Sequence, residues 1–417
     1  MAKIRLGLVA SVIIMLVATS LFPASAEAAK KLYVGGTFAL TGAFAEDMTA
    51  ALAGFEDYVR YVNETKRMAP WRDEKFPADI TLELLWRDDE LKVDKALSIY
   101  EELKAKGLMV QRVSGSPQAL ALKELLNEDH IGTVGPVTGA YLMSPPQTIF
   151  TNRAIYTDEM AAIADWFLEG WRQSRKPRVA YLTSDHALGR SIVIPEMKAY
   201  LEKIGYEFVG IQYVALVPTS PPTTQLMWLK KKKVDLALGA MVNPGTQPTV
   251  KEMVRLDMGP HLGYKITFGV AYPNNFAMFV RDMGRLGDGV VIANDFPTWD
   301  YEKVTGIKWG AELQKKYHPN KWVSATMYLQ GIIEGMIQVE ALRLALRNVP
   351  FDQLKPIDVL KYGFHRIKDL DTGGLTDTPL TYGPGDIEGI DKASVAQVQE
   401  GKYVKLGLWP LRHLYKH

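Results

Sequence analysis

The sequence predicts an α/β protein that contains two units, each a mostly parallel β-sheet flanked by helices. The first observation behind this prediction is size and composition: 417 residues, 47% hydrophobic and 23% charged, suffice for two or three domain-sized cores. The second is order, because apolar segments of strand length alternate with amphipathic segments of helix length from Lys31 onward. The third is a set of corners rich in small residues that follow several of these strands.

The N-terminus predicts an export signal. Lys3 and Arg5 precede the apolar segment LGLVASVIIMLVATSLF, and ASA follows at residues 24–26, where small residues suit signal peptidase. We therefore expect residues 1–26 to be a cleaved signal peptide; an uncleaved membrane anchor is the alternative. No later window is apolar enough to cross a bilayer, so the mature chain is expected to be soluble.

Charge and cysteine content exclude several classes of function. The formal charge is +2, and it falls close to zero once the signal peptide is removed, so no nucleic-acid partner is expected. The chain contains 0 cysteines, which excludes disulfides, thiolate catalysis, thiolate metal ligands and a lipid-modified cysteine. A cell with one membrane would lose an exported protein that lacks a lipid anchor. The sequence therefore favours the periplasm.

The first unit follows a strand-then-helix order. The first predicted helix carries apolar residues at steps of three and four, at Leu52, Phe55, Val59 and Val62. The predicted strands and helices after it follow the same order, and the segment FTNRAIYT (150–157) is polar and aperiodic, which indicates a crossing to the second unit. The segments are KLYVGGTFAL (31–40), DITLELLWRDD (79–89), KVDKALSIYEELKAKG (92–107), GLMVQRV (107–113), PQALALKELL (117–126) and HIGTVGPVTG (130–139).

The second unit repeats this order and ends in a long helix. The helix covers VSATMYLQGIIEGMIQVEALRLALRN (323–348), and KYVKLGLWP (402–410) predicts one more strand near the C-terminus. The strand-like segments before the long helix are PRVAYLTSDHALG (177–189), GYEFVGIQYVAL (205–216), KKVDLALGAMVNPG (232–245), GYKITFGVAYPNN (263–275) and GDGVVIANDF (287–296).

Three corners of the first unit predict a carboxylate site. ALTGAF (39–44), SGSP (114–117) and GPVTG (135–139) follow strands, and the carboxyl ends of parallel strands share the sheet edge where ligands bind. We expect Ser116 to be the N-cap of a helix and Pro117 its first residue. Capping alone is an alternative explanation. It does not require Ser114 and Gly115, whose small size lets a ligand reach backbone amides.

Three corners of the second unit suit the opposite wall of a cleft. They are SDHALG (184–189), GAMVNPG (239–245) and VAYPNN (270–275). Leu188, Met241 and Tyr272 offer apolar surface there. Hydrogen-bonding groups come from Asp185, Asn243 and Asn274. Ordinary loop or core roles are the alternative for each residue.

Motifs for enzymatic or metal chemistry are missing or isolated. The DTG triplet at 371–373 has no second copy, which an aspartic protease requires, and turn chemistry accounts for its glycine. The sequence has no GxSxG, Walker A, HExxH or GxGxxG motif. Among seven histidines, only His413 and His417 have ligand-like spacing, and we interpret them as a surface tail. No enzyme activity, metal or cofactor is expected.

The ordered set of segments resembles the periplasmic leucine/isoleucine/valine-binding protein family, the substrate-binding components of branched-chain amino-acid ABC importers. The resemblance covers essentially the whole mature chain. It depends on GTFALTGAFAEDMTAALAGFEDYVRYVNE, on the SGSP and GPVTG corners, and on VAYLTSDHALG, LKKKKVDLALGAM and IKDLDTGGLTDTPLTY.

This resemblance implies a two-lobed, type I periplasmic-binding-protein fold with three hinge crossings, near 150–157, 294–300 and 370–380. One lobe would comprise residues 30–151 and 298–372, and the other 152–297 and 373–417. The carboxylate would contact Ser114, Ser116 and Thr138, with Val137 beside it. Thr41 and Asp47 would lie at the mouth of the cleft, and hinge closure would follow ligand contact with both walls.

Two departures from the family pattern concern the ligand. Leu188 stands where the family often has tyrosine, and Ala271 or Tyr272 stands where amino-acid binders place a glutamate for the ammonium group. A buried ammonium needs a counter-charge, which Asp47 or Asp185 could supply. We therefore expect a small carboxylate or amide with an apolar or aromatic portion.

The expected function is capture of this solute by a monomer that delivers it to the permease and ATPase subunits of a membrane importer. Two alternatives remain at this stage. One is a ligand-sensing module for a membrane receptor, and the other is a secreted α/β hydrolase.

Overall fold

The computed structural model describes residues 30–414 except residues 43, 137, 146, 272–275, 294–298, 300–302 and 322. The predicted signal peptide, His417, and the predicted site residues Val137 and Tyr272 therefore lie outside the described residues. The expected crossing near 294–300 also lies almost entirely outside them. Strands before residue 151 form a first unit, and strands from residue 178 onward form a second unit.

Strands of the first unit run parallel. They are β1 (Lys30–Thr37), β2 (Ile80–Arg87), β3 (Val110–Arg112), β4 (Gly132–Val134) and β5 (Ile149–Phe150). β1 pairs with β2, and β4 pairs with both β3 and β5. β3 lies beside β1, since Arg112 Nη1 donates to the Thr37 carbonyl at 2.7 Å. The carboxyl ends of β1 and β3 consequently face the same edge of the unit.

Strands of the second unit form one sheet in the order β12-β11-β10-β9-β8-β6-β7. Four neighbouring pairs are parallel, namely β7 with β6, β6 with β8, β8 with β9, and β9 with β10. β11 is antiparallel to both of its neighbours, β10 and β12. The strands are β6 (Arg178–Ser184), β7 (Glu207–Val214), β8 (Leu236–Ala240), β9 (Thr267–Ala271), β10 (Val291–Ala293), β11 (Lys392–Gln399) and β12 (Lys402–Pro410).

Helices flank both sheets. In chain order they are α1 (Ala45–Thr65), α2 (Val93–Ala105), α3 (Ser116–Glu128), α4 (Ala140–Met143), α5 (Tyr156–Glu169), α6 (Ala187–Arg190), α7 (Pro195–Ile204), α8 (Thr223–Lys231), α9 (Asn243–Arg255), α10 (Phe276–Met283), α11 (Thr305–Tyr317), α12 (Ala325–Leu346) and α13 (Pro356–Asp358). Short 3-10 or π turns cover Gly284–Gly287, Phe351–Gln353, Val359–Gly363 and Phe364–Arg366.

The long predicted helix α12 returns to the first unit and packs against α1. The two backbones approach so closely that a Cβ atom at Gly331 would lie 1.9 Å from the Ala51 carbonyl oxygen, so only glycine fits there. α12 is buried over most of its length and carries polar side chains such as Gln330 and Glu334 into the core. These side chains must find partners inside the protein.

Strands β11 and β12 form a hairpin of which the sequence predicts only the second strand. Glu400 and Gly401 connect them, both with positive φ (51° and 69°), which is the backbone that two-residue hairpin turns require. β11 lacks a clear polar-apolar alternation because both of its faces are largely buried. The predicted α/β class with mostly parallel sheets in two units is confirmed.

The first and third connections between the units lie side by side. Thr151 pairs with Glu388 in a parallel bridge, and the Thr151 amide donates to the Ile387 carbonyl at 2.9 Å. The Gly389 amide in turn donates to the Thr151 carbonyl at 2.8 Å. Two chain segments that are far apart in sequence are thus joined where the chain passes between units.

Within the described residues, the search for a helix both long and apolar enough to span a bilayer finds none.

Candidate functional site

A cavity between the two units gathers residues from both. In this conformation its volume is about 30 Å³, and it is partly open to solvent. We call it the interunit cavity and define it by its lining residues: Phe44, Asp47, Met48, Leu91, Ser114, Gly115, Ser116, Pro117, Pro136, Tyr156, His186, Leu188 and Met327. Four residues predicted from the sequence belong to this lining, namely Asp47, Ser114, Ser116 and Leu188.

The corner between β3 and α3 forms one side of the cavity, and we call residues 114–117 the first wall. The expectation that Ser116 is the N-cap is wrong, because α3 begins at Ser116 and its N-cap is Gly115, with extended backbone (φ −166°, ψ 169°). Among the described residues, no side chain caps this helix. The Ser116 amide at the start of α3 therefore lies at the cavity without a capping side chain, whereas Pro117 has no amide hydrogen.

The hydroxyl of Ser114 already has an internal partner. It donates to Thr37 Oγ1 at 3.0 Å, and both hydroxyls lie near the buried carboxylate of Asp89. Burial raises the pKa of Asp89, while hydrogen bonds from the Leu91 amide, Ser114 and Thr37 act in the opposite direction. Ser114 therefore offers a ligand chiefly its backbone.

A buried ion pair, whose arginine lies shortly before the first wall in the chain, stabilises that wall. Arg112, two residues before Ser114, has its Nε 2.6 Å from Glu334 Oε2 on α12, and both side chains are 0% exposed. The guanidinium also lies 4.0 Å from the centre of the Phe38 ring. A buried arginine with its carboxylate, a carbonyl and an aromatic face has most of its charge compensated. This pair fixes β3 to β1 and α12.

The short helix α6 forms the opposite side of the cavity, and we call His186 and Leu188 the second wall. His186 is the N-cap of α6, because its Nδ1 accepts from the Leu188 amide at 3.3 Å. Burial lowers the pKa of His186, which favours the neutral ring. With Nδ1 acting as acceptor, we infer that the proton of the neutral ring is on Nε2. Leu188 is buried beside it.

Tyr156 contributes to the cavity from the first crossing. Its hydroxyl donates to the Pro136 carbonyl at 3.3 Å, and its amide donates to the Thr138 carbonyl at 3.0 Å. Burial raises the pKa of Tyr156 well above its usual value, so it remains a neutral phenol. These bonds join the GPVTG corner to the chain where it enters the second unit.

The remaining lining is mainly apolar. Phe44, Met48, Leu91 and Met327 come from four different segments and surround the space near the first wall. Asp47, in the first turn of α1, supplies a carboxylate, a position that the helix dipole favours. The cavity lining thus combines a helix start, apolar surface and one acidic group.

The two units also touch each other around the cavity. Arg281 Nη1 on α10 lies 3.1 Å from Glu46 Oε1 on α1, and both side chains are about half exposed. Nearer the cavity, Tyr141 Oη donates to the Ala187 carbonyl at 3.4 Å. The units are therefore close together in this conformation.

Other predicted site residues lie outside this lining. Thr41 is exposed and donates to Asp88 Oδ2 at 2.7 Å. Asp185 is 2.5 Å from Arg190 Nη2. Met241 is buried in the core of the second unit, and Thr138 is buried beside Tyr156. Val137 and Tyr272 lie outside the described residues.

Sequence reasoning missed the aromatic and histidine side chains of the cavity. His186 lies within the predicted SDHALG corner, but a search for metal-ligand spacing gave it no role. Tyr156 falls in an aperiodic crossing, and Met327 lies on a helix that is apolar all round. No sequence signal marks these three residues, because histidine is not among the side chains preferred at N-caps.

Comparisons with known proteins place this fold and cavity in a family. The model of the family described as "Periplasmic binding protein" matches residues 31–401, so the chain belongs to the periplasmic binding protein family. A comparison with curated proteins gives no match.

Several solved structures share the fold. One is a branched-chain amino acid ABC transporter protein from Thermus thermophilus with bound valine, with 19% identity, TM-score 0.80, and coverage of 93% of this chain and 98% of that one. A fatty acid ABC transporter substrate-binding protein from Thermomonospora curvata has 19% identity, TM-score 0.77, and coverage of 93% and 94%. A solute-binding protein of an ABC transporter from Rhodopseudomonas palustris BisB5, in complex with 3,4-dihydroxybenzoic acid, has 17% identity, TM-score 0.72, and coverage of 91% and 98%.

Proposed function

We propose that the protein is the substrate-binding component of an ABC importer and that it captures a small organic carboxylate between its two units. The interunit cavity carries this proposal, because the first wall (Ser114–Pro117) and the second wall (His186 and Leu188) belong to different units. A ligand that touches both walls stabilises the conformation in which they are close. Membership of the periplasmic binding protein family supports the same function.

Hinge motion in this proposal takes place between two lobes, residues 30–151 with 298–372 and residues 152–297 with 373–417. The bridge between Thr151 and Glu388 supports a hinge in which the first and third crossings move together. Leu375 packs against Gly306, and the Tyr382 ring lies 5.3 Å from the Phe150 ring. These contacts favour a third crossing after Tyr382, later than residue 373.

The proposed ligand has a carboxylate and an apolar or aromatic body. The amides at the start of α3 suit an anion, since a helix N-terminus carries unpaired donors and partial positive charge. Phe44, Met48 and Met327 suit an apolar body. Micromolar affinity needs about 8 kcal/mol. Several hydrogen bonds to a desolvated anion together with apolar contact can supply this.

Asp47 is the acidic residue of the cavity lining that could bind the ammonium group of an amino acid. Of the two aspartates proposed as counter-charges for an ammonium group, Asp47 lines the cavity and Asp185 lies outside the lining. We therefore propose Asp47 as the partner of any ammonium group. A ligand without an ammonium group would not need this carboxylate.

Compartment and partners follow from the same proposal. The signal sequence at residues 1–26 directs the chain to the periplasm, and the permease and ATPase subunits of the importer receive the ligand. The protein acts as a monomer without a cofactor and catalyses no reaction.

A thermal-shift screen of the mature protein tests this function. The panel contains aliphatic and aromatic monocarboxylates, their matched amides, dicarboxylates and amino acids. A ligand at 100 times its Kd adds about 2.7 kcal/mol to the free energy of unfolding, so binders raise the melting temperature. We expect carboxylates with an apolar body to raise it more than their amides do.

The Asp47→Asn variant distinguishes an amino-acid ligand from a simple carboxylic acid. If the ligand is an amino acid, the variant loses its thermal shift; if the ligand is a simple acid, the shift persists. Glu56→Gln on the same helix is the matched control, because Glu56 is exposed and lies outside the cavity lining. The proposal is wrong if no carboxylate in the panel raises the melting temperature.

A further inference from the structure

Three polar side chains from distant parts of the chain meet near the base of the second unit. Asp158 lies in the first turn of α5, Glu388 lies in the third crossing, and His413 lies in the C-terminal tail after β12. One ligand atom of each residue lies within 4.8 Å of the others. Asp158 and Glu388 are buried, at 1% and 3% exposure, and the His413 side chain is 35% exposed.

The carboxylate of Asp158 points into this cluster with one oxygen unused. Its Oδ1 accepts from the Arg412 backbone amide at 2.8 Å, and the His413 backbone amide also lies near the carboxylate, although Oδ2 has no hydrogen-bond partner of ordinary geometry among the described residues. The side chain of Arg412 is directed elsewhere, with Nη2 2.5 Å from Asp165 Oδ2. A buried carboxylate oxygen without a donor is costly, which indicates that something positively charged belongs beside it.

The cluster contains two carboxylates and one imidazole. His413 Nδ1 lies 3.0 Å from Glu388 Oε2, so an imidazole nitrogen faces a carboxylate oxygen inside the cluster. A divalent cation with a neutral imidazole would compensate both carboxylates.

The donor set also selects the kind of cation. One imidazole nitrogen and two carboxylate oxygens suit Zn²⁺ and related transition metals, whereas Ca²⁺ and Mg²⁺ prefer oxygen ligands alone. Tetrahedral Zn²⁺ with bonds of about 2.1 Å separates its ligand atoms by roughly 3.4 Å. The separations in this cluster, 3.0 Å between Glu388 and His413 and up to 4.8 Å overall, bracket that value. The exposed side of His413 provides an entry path.

We propose that Asp158, Glu388 and His413 form a binding site for a divalent transition-metal cation, with Zn²⁺ as the best fit. The bound ion would join α5, the third crossing and the C-terminal tail. Because Glu388 pairs with Thr151 of the first crossing, the ion would lie directly beside both of these hinge segments. The site is separate from the interunit cavity and does not depend on the ligand that the cavity binds.

Isothermal titration with ZnCl₂ tests this site. The protein is the mature chain without a histidine tag, stripped with EDTA and dialysed. We expect one Zn²⁺ per chain, and we expect Glu388→Gln and His413→Ala each to weaken binding at least about 10-fold, since even outer partners of metal ligands are worth that much. Co²⁺ should give the visible absorption bands of a site with nitrogen and oxygen ligands.

His261→Ala is the matched control, because His261 is an exposed histidine of the second unit, and it should bind Zn²⁺ like the unaltered protein. His413→Ala carries the test if Glu388→Gln does not fold, since His413 is partly exposed. The proposal is overturned if the unaltered protein binds no Zn²⁺. Binding that Glu388→Gln leaves unchanged would overturn it as well, because the histidine tail alone would then be the ligand.

Discussion

The two walls of the interunit cavity are built in different ways. The first wall, Ser114–Pro117, lies at the start of a 13-residue helix and above the buried Arg112–Glu334 ion pair. The second wall, His186 and Leu188, belongs to a helix of only 4 residues whose N-cap is the His186 ring. The first wall is therefore supported by a buried ion pair, and the second by local hydrogen bonds around a short helix, among them the bond from Ser191 Oγ to the Leu188 carbonyl at 2.6 Å.

This difference assigns distinct roles to the two walls in ligand capture. The start of α3 is fixed by the buried ion pair and can bind an anion without rearranging, so little free energy is lost in ordering it. A helix of 4 residues has few hydrogen bonds of its own, and closure around a ligand moves one unit relative to the other. We therefore expect the ligand to bind the first wall and the second wall to close over it.

Removing the buried charge under the first wall should have the largest effect. Glu334→Gln leaves the Arg112 guanidinium buried without its counter-ion, and we expect the free energy of unfolding to fall by about 3–5 kcal/mol. Chemical denaturation measures this loss. Glu312→Gln on the exposed face of α11 is the control and should stay within about 0.5 kcal/mol of the unaltered protein. If Glu334→Gln and Glu312→Gln were equally stable, the ion pair would not stabilise the first wall.

Ser116→Ala should affect binding rather than stability. The Ser116 hydroxyl does not cap α3, so its loss should leave the melting temperature nearly unchanged. Loss of one hydrogen bond to an anionic ligand should weaken binding about 10-fold, or about 1.4 kcal/mol. Titration calorimetry with the ligand from the screen measures the affinity. Unchanged affinity with a lower melting temperature would mean that Ser116 has only a structural role.

The contact between Glu46 and Arg281 should contribute less. Both side chains are about half exposed, and such pairs are worth about 0.2–1 kcal/mol. Because the pair joins the two units, Glu46→Gln should weaken ligand binding by no more than about fivefold and more at low salt than at high salt. Glu56→Gln, whose partner Arg60 lies on the same helix, is the control. A loss of affinity that does not change with salt concentration would show that charge attraction between Glu46 and Arg281 does not contribute to binding.

His186 should give the second wall a small pH dependence. Burial lowers the pKa of His186, so the unfolded chain binds more protons than the folded chain once the pH falls below about 6.5. The contribution of this group to stability is therefore present at neutral pH and is lost on acidification. His186→Asn keeps a capping side chain without the titration, and its melting temperature should fall less between pH 7 and pH 5. Identical pH profiles would contradict this role.

How much the sequence predicts depends on how local the signal is. Strand-then-helix order and small corners are local, and they predict the two units and place Ser114, Ser116, Asp47 and Leu188 in segments that meet at the cavity. β11 has no such signal, because a strand that is buried on both faces lacks alternation. The predicted N-cap of α3 is also wrong by one residue, because Gly115 rather than Ser116 precedes the helix.

Contacts between distant segments could not be predicted. Arg112 and Glu334 are 222 residues apart, and the partners of Asp158 in the proposed metal site come from the last crossing and the C-terminal tail. A spacing rule applied to His413 and His417 leads only to a surface tail. Each of these clusters joins segments that meet only after the chain has passed between the units, which residue order does not encode locally.

The most direct test of ligand capture between the walls is a crystal structure with the ligand that the screen identifies. We predict a ligand carboxylate within about 3 Å of a backbone amide at the start of α3. The apolar part should lie against Leu188 and Met327. A ligand bound away from both walls, for example in the groove between Met253 and Leu286 in the second unit, would contradict the account.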